Sequence, residues 1–130
     1  MECELELPYP PSVNHYKKIG RLVKTKSGKL CQWRVNTPKT KQFYFEVWTK
    51  LRVAFATQGL KSFQDSTISM EVDVFPPDHR KRDLDGILKV LLDSMQRGGL
   101  YVDDFQIVRL TVERKYIVPQ GKVIVRIKNL

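Results

Sequence analysis

Residues 67–75 read TISMEVDVF, and this stretch decides the fold. Ile68, Met70, Val72 and Val74 fall on one side, Ser69, Glu71 and Asp73 on the other. Strict alternation of this kind is the pattern of a strand with one buried face. Pro76-Pro77 closes the strand. Beyond it, the segment from Asp83 to about Arg97 reads as a helix carrying Ile87, Leu88, Leu91, Leu92 and Met95, stopped by Gly98-Gly99. Upstream lies a second helix signal: Thr37 as a cap, Pro38 at the first helical position, then Phe43, Tyr44, Val47, Trp48, Leu51 and Phe55 at three-to-four spacing, with Gly59 as its stop.

The remaining elements are strands. Residues 2–8 (ECELELP) alternate, and Tyr9-Pro10-Pro11 ends them. Residues 105–116 and 122–128 are expected to pair across Pro119-Gln120-Gly121, with Val108, Leu110 and Val112 facing Val123, Val125 and Ile127. Residues 12–36, polar and basic, read as a loop or a mobile hairpin. The order β-α-β-α-β-β predicts an α+β (mixed α/β) fold, with one sheet of about four strands and two main helices. Helices on a single face would leave the other face for a partner or a second subunit. The 130 residues suit one domain spanning 1–130, large enough to bury a modest core.

Composition narrows the function. No apolar run approaches the ~20 residues of a membrane span, and the opening MECELELPYPP has no signal-type pattern, so the expectation is a soluble intracellular protein without a membrane partner. Cys3 and Cys31 have no zinc-type spacing and read as reduced structural thiols. The net charge of +9, from 23 Lys and Arg against 14 Asp and Glu, favours an anionic partner, nucleic acid first. Between Leu7 and Phe45 there is no acid, whereas Lys17, Lys18, Arg21, Lys24, Lys26, Lys29, Arg34, Lys39 and Lys41 all fall there. A solvated face normally mixes signs, so this segment reads as one that tracks phosphates.

Against that basic background the acids concentrate. Arg80-Lys81-Arg82 runs straight into Asp83-Leu84-Asp85, and Asp103-Asp104 follows. Phosphodiester hydrolysis calls for a divalent cation that polarises the phosphate and lowers the pKa of water. Mg²⁺ takes carboxylate oxygens and keeps several waters, so two or three aspartates suffice. The bland alternatives are an N-cap at Asp83 or Asp85 and surface ion pairs among Asp85, Lys89 and Asp93 at i, i+4 and i+8. A helix from Asp85 to Arg97 carries the chain ~18 Å away. An extended return from Gly98 to Asp104 spans at most ~20 Å. Asp104 can therefore just regain Asp83 and Asp85 in one chain; alternatively, carboxylates from two subunits meet.

The block R-K-R-D-L-D-G-I-L-K-V-L-L-D (residues 80–93), followed by G-L-Y-V-D-D-F-Q-I-V (99–108), resembles the RusA family of crossover junction endodeoxyribonucleases of bacteria and prophages, and L-P-Y-P-P-S-V-N-H-Y (7–16) is similar to that family's opening. The resemblance implies a cytoplasmic homodimer, dependent on Mg²⁺ (with Mn²⁺ as a substitute), that cuts opposing strands of a Holliday junction. The dimer arrangement is implied to matter for metal binding. By position, Asp83, Asp85 and Asp104 match the essential acids and metal ligands, and Lys89 the catalytic-site lysine. Asp103, Asp93 and Arg82 occupy neighbouring motif positions. Arg80, Lys81, Arg82, Asn14, Lys17 and Lys18 are the expected DNA contacts, and Tyr16 also falls in the opening motif. Gly86 stands where the family often has Asn, which removes a polar group beside the site. A non-cleaving binder of branched DNA with the same fold is the alternative function. A D-x-D sugar transferase is disfavoured by the short chain and the missing Gly-rich phosphate loop. Trp33 and Phe105 are candidate wedges into DNA, though core or loop packing is the expected fate of each. His15 and His79 are expected at the surface.

Overall fold

A computed structural model describes the backbone of residues 1–12, 17–24, 26 and 30–130, and the side chains of residues 1–12, 26 and 36–130. Strand β1 (Glu2–Pro8) opens the chain. A two-stranded antiparallel hairpin follows, β2 (Lys17–Lys24) with β3 (Leu30–Asn36), within the stretch read as loop or hairpin. Helix α1 (Pro38–Thr57) starts as its residues dictate: Thr37 is in the extended N-cap conformation, its hydroxyl accepts the Thr40 N–H at 3.3 Å, and Pro38 occupies the first turn. Gly59 follows the helix end at φ +63°, a left-handed conformation open to glycine without steric cost.

Strand β4 (Ile68–Phe75) has Ile68, Met70, Val72 and Val74 at 0–3% exposure, as the alternation requires. Helix α2 (Leu88–Arg97) is shorter than its apolar spacing suggests. Residues Leu84–Ile87 form a 3-10 turn instead, with Asp83 extended at its N-cap position and making no side-chain cap bond. Gly86 in this turn and the lack of a cap weaken α-helical geometry there. A second 3-10 turn, Asp104–Gln106, leads into β5 (Ile107–Arg114), and β6 (Lys122–Asn129) ends the fold.

The sheet order is β1-β6-β4-β5, and it corrects the expected β5–β6 hairpin. Strand β5 pairs in parallel with β4, whereas β6 lies antiparallel between β1 and β4. The physical reason is the helix: β4–α2–β5 is a crossover unit, and a helical crossover delivers the next strand parallel. After β5 the chain passes over the end of β4, where the Lys115 N–H donates to the Val74 carbonyl (2.8 Å) and the Val118 N–H to that of Pro76 (3.0 Å). It then returns on the other side of β4. As the edge strand, β5 leaves Val108 and Leu110 exposed, at 58% and 38%, so they do not face Val123, Val125 and Ile127 as expected.

One face of the sheet packs on the helices. Leu5, Leu7, Met70, Val72, Val123, Val125 and Ile127 join Phe43, Val47, Leu51 and Ala54 of α1 and Val90, Leu91 and Met95 of α2 in one core, completed by Phe63, Leu100 and Tyr101. The α1 stripe is narrower than its sequence suggests: Tyr44 and Phe55 are half-buried and Trp48 is 46% exposed. The opposite sheet face is polar and internally paired. Arg126 bridges Glu71 and Asp73, and Lys122 pairs with Glu6. Gly98 is demanded by close approach, since a Cβ there would stand 2.2 Å from Leu51 Cδ1. Among the described residues no helix is long and apolar enough to cross a membrane.

Candidate active site

Asp83 and Asp85 are exposed on the 3-10 turn that precedes α2. Among the described residues neither side chain forms a hydrogen bond or ion pair, so the capping role that would have made Asp83 structural is not taken up. Both line a cavity of about 790 Å³ together with Arg80, Lys81, Arg82, Gly86, Tyr9, and Lys39 and Gln42 of α1. Gly86 adds no bulk to the wall; a Cβ there would meet nothing within 4 Å.

The basic run is not uniform. Arg80 is 81% exposed in its side chain, and Lys81 is exposed too. Arg82 is committed instead. Its guanidinium donates to both carboxylate oxygens of Asp78, at 2.5 and 3.1 Å, and stacks over the Tyr9 ring at 5.8 Å. The Arg114 guanidinium in turn donates to the Arg82 carbonyl at 2.6 Å. Asp78 also accepts the Arg80 N–H at 2.9 Å. The hydrogen bond from Arg82, then that from the Arg80 N–H, holds the Asp78 carboxyl well below the usual carboxylate range. A bidentate Arg–carboxylate pair has fixed geometry. Arg82 thus braces the segment that delivers Asp83, a role its place in a basic run did not suggest.

Lys89, the second residue of α2, pairs with Asp93 at 3.2 Å, and that bond raises its pKa, with Asp104 adding a smaller push in the same direction. Asp104 therefore shares a neighbourhood with Lys89, Asp93 and Asp103. Burial raises its own pKa first, then a hydrogen bond with Asp103, while Lys89 opposes the rise. Asp103 caps the second 3-10 turn by accepting the Phe105 N–H at 3.0 Å. Among the described residues no three of His, Cys, Asp and Glu are grouped to hold an ion within one chain.

Of the other expected residues, Asn14, His15 and Tyr16 lie outside the described residues, as do the side chains of Lys17, Lys18 and Trp33. Lys17 and Lys18 sit on β2, opposite Asn36 and Val35. His79 is exposed. Phe105 is 90% exposed, which overturns its expected burial in loop or core packing. Lys39, Gln42 and Tyr9 share the cavity with the aspartates; the basic run that includes Lys39 and the opening motif that includes Tyr9 were the hints, and nothing in the sequence marks Gln42. Cys3 is a free, half-buried thiol whose pKa burial pushes up to about 11, in line with a structural role.

A strand-to-helix junction that presents two open carboxylates beside exposed cations suits phosphodiester chemistry. Comparison with known proteins carries this further. The family model for Endodeoxyribonuclease RusA matches residues 8–128. A crossover junction endodeoxyribonuclease rusA of Enterobacteria phage HK97 is 34% identical over 130 residues, covering 99% of this chain and 96% of that protein. Similar proteins of the same printed name occur in Enterobacteria phage 82, 28% identical over 122 residues, and in Escherichia coli (strain K12), 25% identical over 118; each comparison covers 91% of this chain and 87% of the relative. The chain belongs to the RusA endodeoxyribonuclease family.

Proposed function

We propose that this protein is a structure-specific endonuclease that resolves four-way (Holliday) DNA junctions in a bacterial or prophage setting, working in the cytoplasm as a homodimer with Mg²⁺, for which Mn²⁺ can substitute. The observation that carries the reading is the open Asp83/Asp85 pair lining one cavity with Arg80, Lys81 and Lys39. Two unbonded carboxylates beside exposed cations fit a hard cation and the phosphate it acts on, because such ions take oxygen ligands and retain waters. Asp83 and Asp85 would hold the ion. When bound, it supplies Lewis-acid polarisation of the phosphate and a lowered pKa for the attacking water.

The rest of the work falls to the chain. Arg80, Lys81 and Lys39 hold the DNA backbone against the acid pair. Arg82, through Asp78, fixes the approach of the segment to Asp83. Lys89 stabilises the negative charge that develops on the phosphate in the transition state. Among the described residues no group of three such ligands forms within one chain, which supports a reading in which Asp104 completes the site of a second copy. The exposed apolar residues around it support such a pairing: Val102 (66%), Phe105 (90%) and Val108 (58%), the last on an edge strand with one side unpaired.

A nicking assay on a synthetic four-way junction with Mg²⁺ tests the reading. Wild type should introduce paired cuts. Asp83→Asn and Asp104→Asn should abolish cleavage while binding the junction equally well or better, because a charge repelling the phosphate is gone. Comparable cutting by these variants would overturn the site. Retardation of the junction by wild type without any cutting would favour the non-cleaving binder.

A further inference from the structure

The turn that carries Asp104 is held in place by two glutamines. Gln106 is 9% exposed. Its Oε1 accepts the backbone N–H groups of Val102 and Asp103, both at 2.8 Å. Its Nε2 donates to the carbonyls of Gln64 (2.6 Å) and Ser66 (2.8 Å). A primary amide has two donor hydrogens and two acceptor lone pairs, so this side chain is saturated. The arrangement also fixes which way the amide points, since a flip would set NH₂ against two N–H donors. The receiving strap is itself constrained: Gln64 adopts φ +52°, and its carbonyl also accepts the Val102 N–H at 3.3 Å. From the other side, Gln96 of α2 accepts the Asp104 N–H on its Oε1 at 3.1 Å.

Together the two amides fix the Asp104 backbone to two bodies at once. One is the strap at residues 64–66. The other is the helix that bears Lys89 and Asp93. An ordinary buried glutamine would only need its own polar atoms satisfied. Here the three backbone N–H groups that the two amides accept belong to Val102, Asp103 and Asp104, the residue that must project a carboxylate and the two before it.

We propose that Gln106 and Gln96 are positioning residues for Asp104: they set where its carboxylate is presented and thereby the affinity for the divalent cation, without touching DNA. The proposal rests on the reading of Asp104 as a metal ligand. Groups that orient a ligand from outside the coordination sphere typically cost ~10–100-fold in metal affinity when removed. A glutamine whose role was stability alone would lower the melting temperature and leave metal affinity as it was.

The test is Mn²⁺ binding by the full-length protein, measured by isothermal titration and by the loss of the free Mn²⁺ EPR signal, beside thermal melts and metal-free junction binding. Gln106→Glu keeps the shape but sets a carboxylate oxygen against two carbonyls. Gln96→Ala removes a single bond at a half-exposed site and keeps the question answerable should Gln106→Glu not fold. The expected result is Mn²⁺ affinity lowered at least ~10-fold in Gln106→Glu and by a smaller factor in Gln96→Ala. Metal-free junction affinity should stay within about twofold of wild type, and cleavage should recover as metal is raised. Lower melting temperature with unchanged Mn²⁺ affinity in the folded variants overturns the proposal. Asp104→Asn separates the two levels: if it weakens Mn²⁺ binding and the glutamine variants do not, the positioning role alone fails. If Asp104→Asn binds Mn²⁺ like wild type, the ligand assignment fails and the positioning role with it.

Discussion

Replacing Arg80, Lys81 and Lys39 together by alanine should flatten the salt dependence of junction binding by a defined amount. These three cations line the Asp83/Asp85 cavity and are exposed, with only Arg80 lightly engaged, 3.3 Å from Asp78. Each cation that neutralises a phosphate on duplex DNA contributes about −0.9 to the slope of log K against log salt, so three should contribute about −2.7. Between about 50 and 200 mM salt, a fourfold rise, the wild type should therefore lose roughly 40-fold more affinity than the triple variant. Fluorescence anisotropy of a labelled four-way junction without catalytic metal gives both slopes. Arg82→Ala is the internal control. Because its guanidinium is spent on Asp78 and Tyr9, its removal should lower the melting temperature and leave the slope nearly unchanged. An unaltered slope in the triple variant refutes the assignment of these cations. A slope reduced by about one in Arg82→Ala, with no change in melting, refutes the bracing role.

Asp104→Asn should stabilise the metal-free protein at neutral pH, because the native environment disfavours the charged carboxyl. Its pKa is raised in the fold, so the unfolded chain releases the proton first as pH rises; the penalty is absent in acid, grows above the ordinary carboxylate range and is complete above the raised native value. Melting curves from acid to neutral pH should show the variant's advantage appear over that window, and a constant difference would contradict the sign. Met95→Ala, at a side chain with no exposure on α2, should cost about 2–5 kcal/mol in urea unfolding with an unchanged slope; a cost under about 1 kcal/mol would mean that α2 is not packed on the sheet as described. Phe105→Asp should yield a monomer in sedimentation whose melting temperature no longer rises with protein concentration, since the ring packs on nothing in the isolated fold and only the association is lost; a persistent dimer would move the interface elsewhere.

The residues brought together here differ in how openly the chain announces them. Ile68, Met70, Val72 and Val74 declare a strand because a period of two is written in adjacent positions, and Thr37-Pro38 declares a helix start because capping is a contact between near neighbours. The D-x-D at 83–85 and the lysine at 89 are local too, and their spacing sets them together where the chain enters α2, although the acids fall on a 3-10 turn before it. The sheet order was recoverable in part. A strand, a helix and a strand in succession imply a parallel pair, yet the short connection from residue 115 to residue 121 looked like a hairpin and concealed the insertion of β6 between β1 and β4.

Sequence by itself determined the α+β class, both helices, the buried face of β4, the basic character and the acid pair with its lysine, because each is a pattern of neighbours a few residues apart. Only the tertiary structure decided that Asp104 shares a neighbourhood with Lys89 and Asp93. It likewise decided that Arg82 is spent on Asp78, and that Gln106 ties its turn to carbonyls some forty residues earlier. The physical reason is that a hydrogen bond or ion pair between distant segments depends on where the whole chain places two atoms, and a distance of about 3 Å leaves no mark in the spacing of residues.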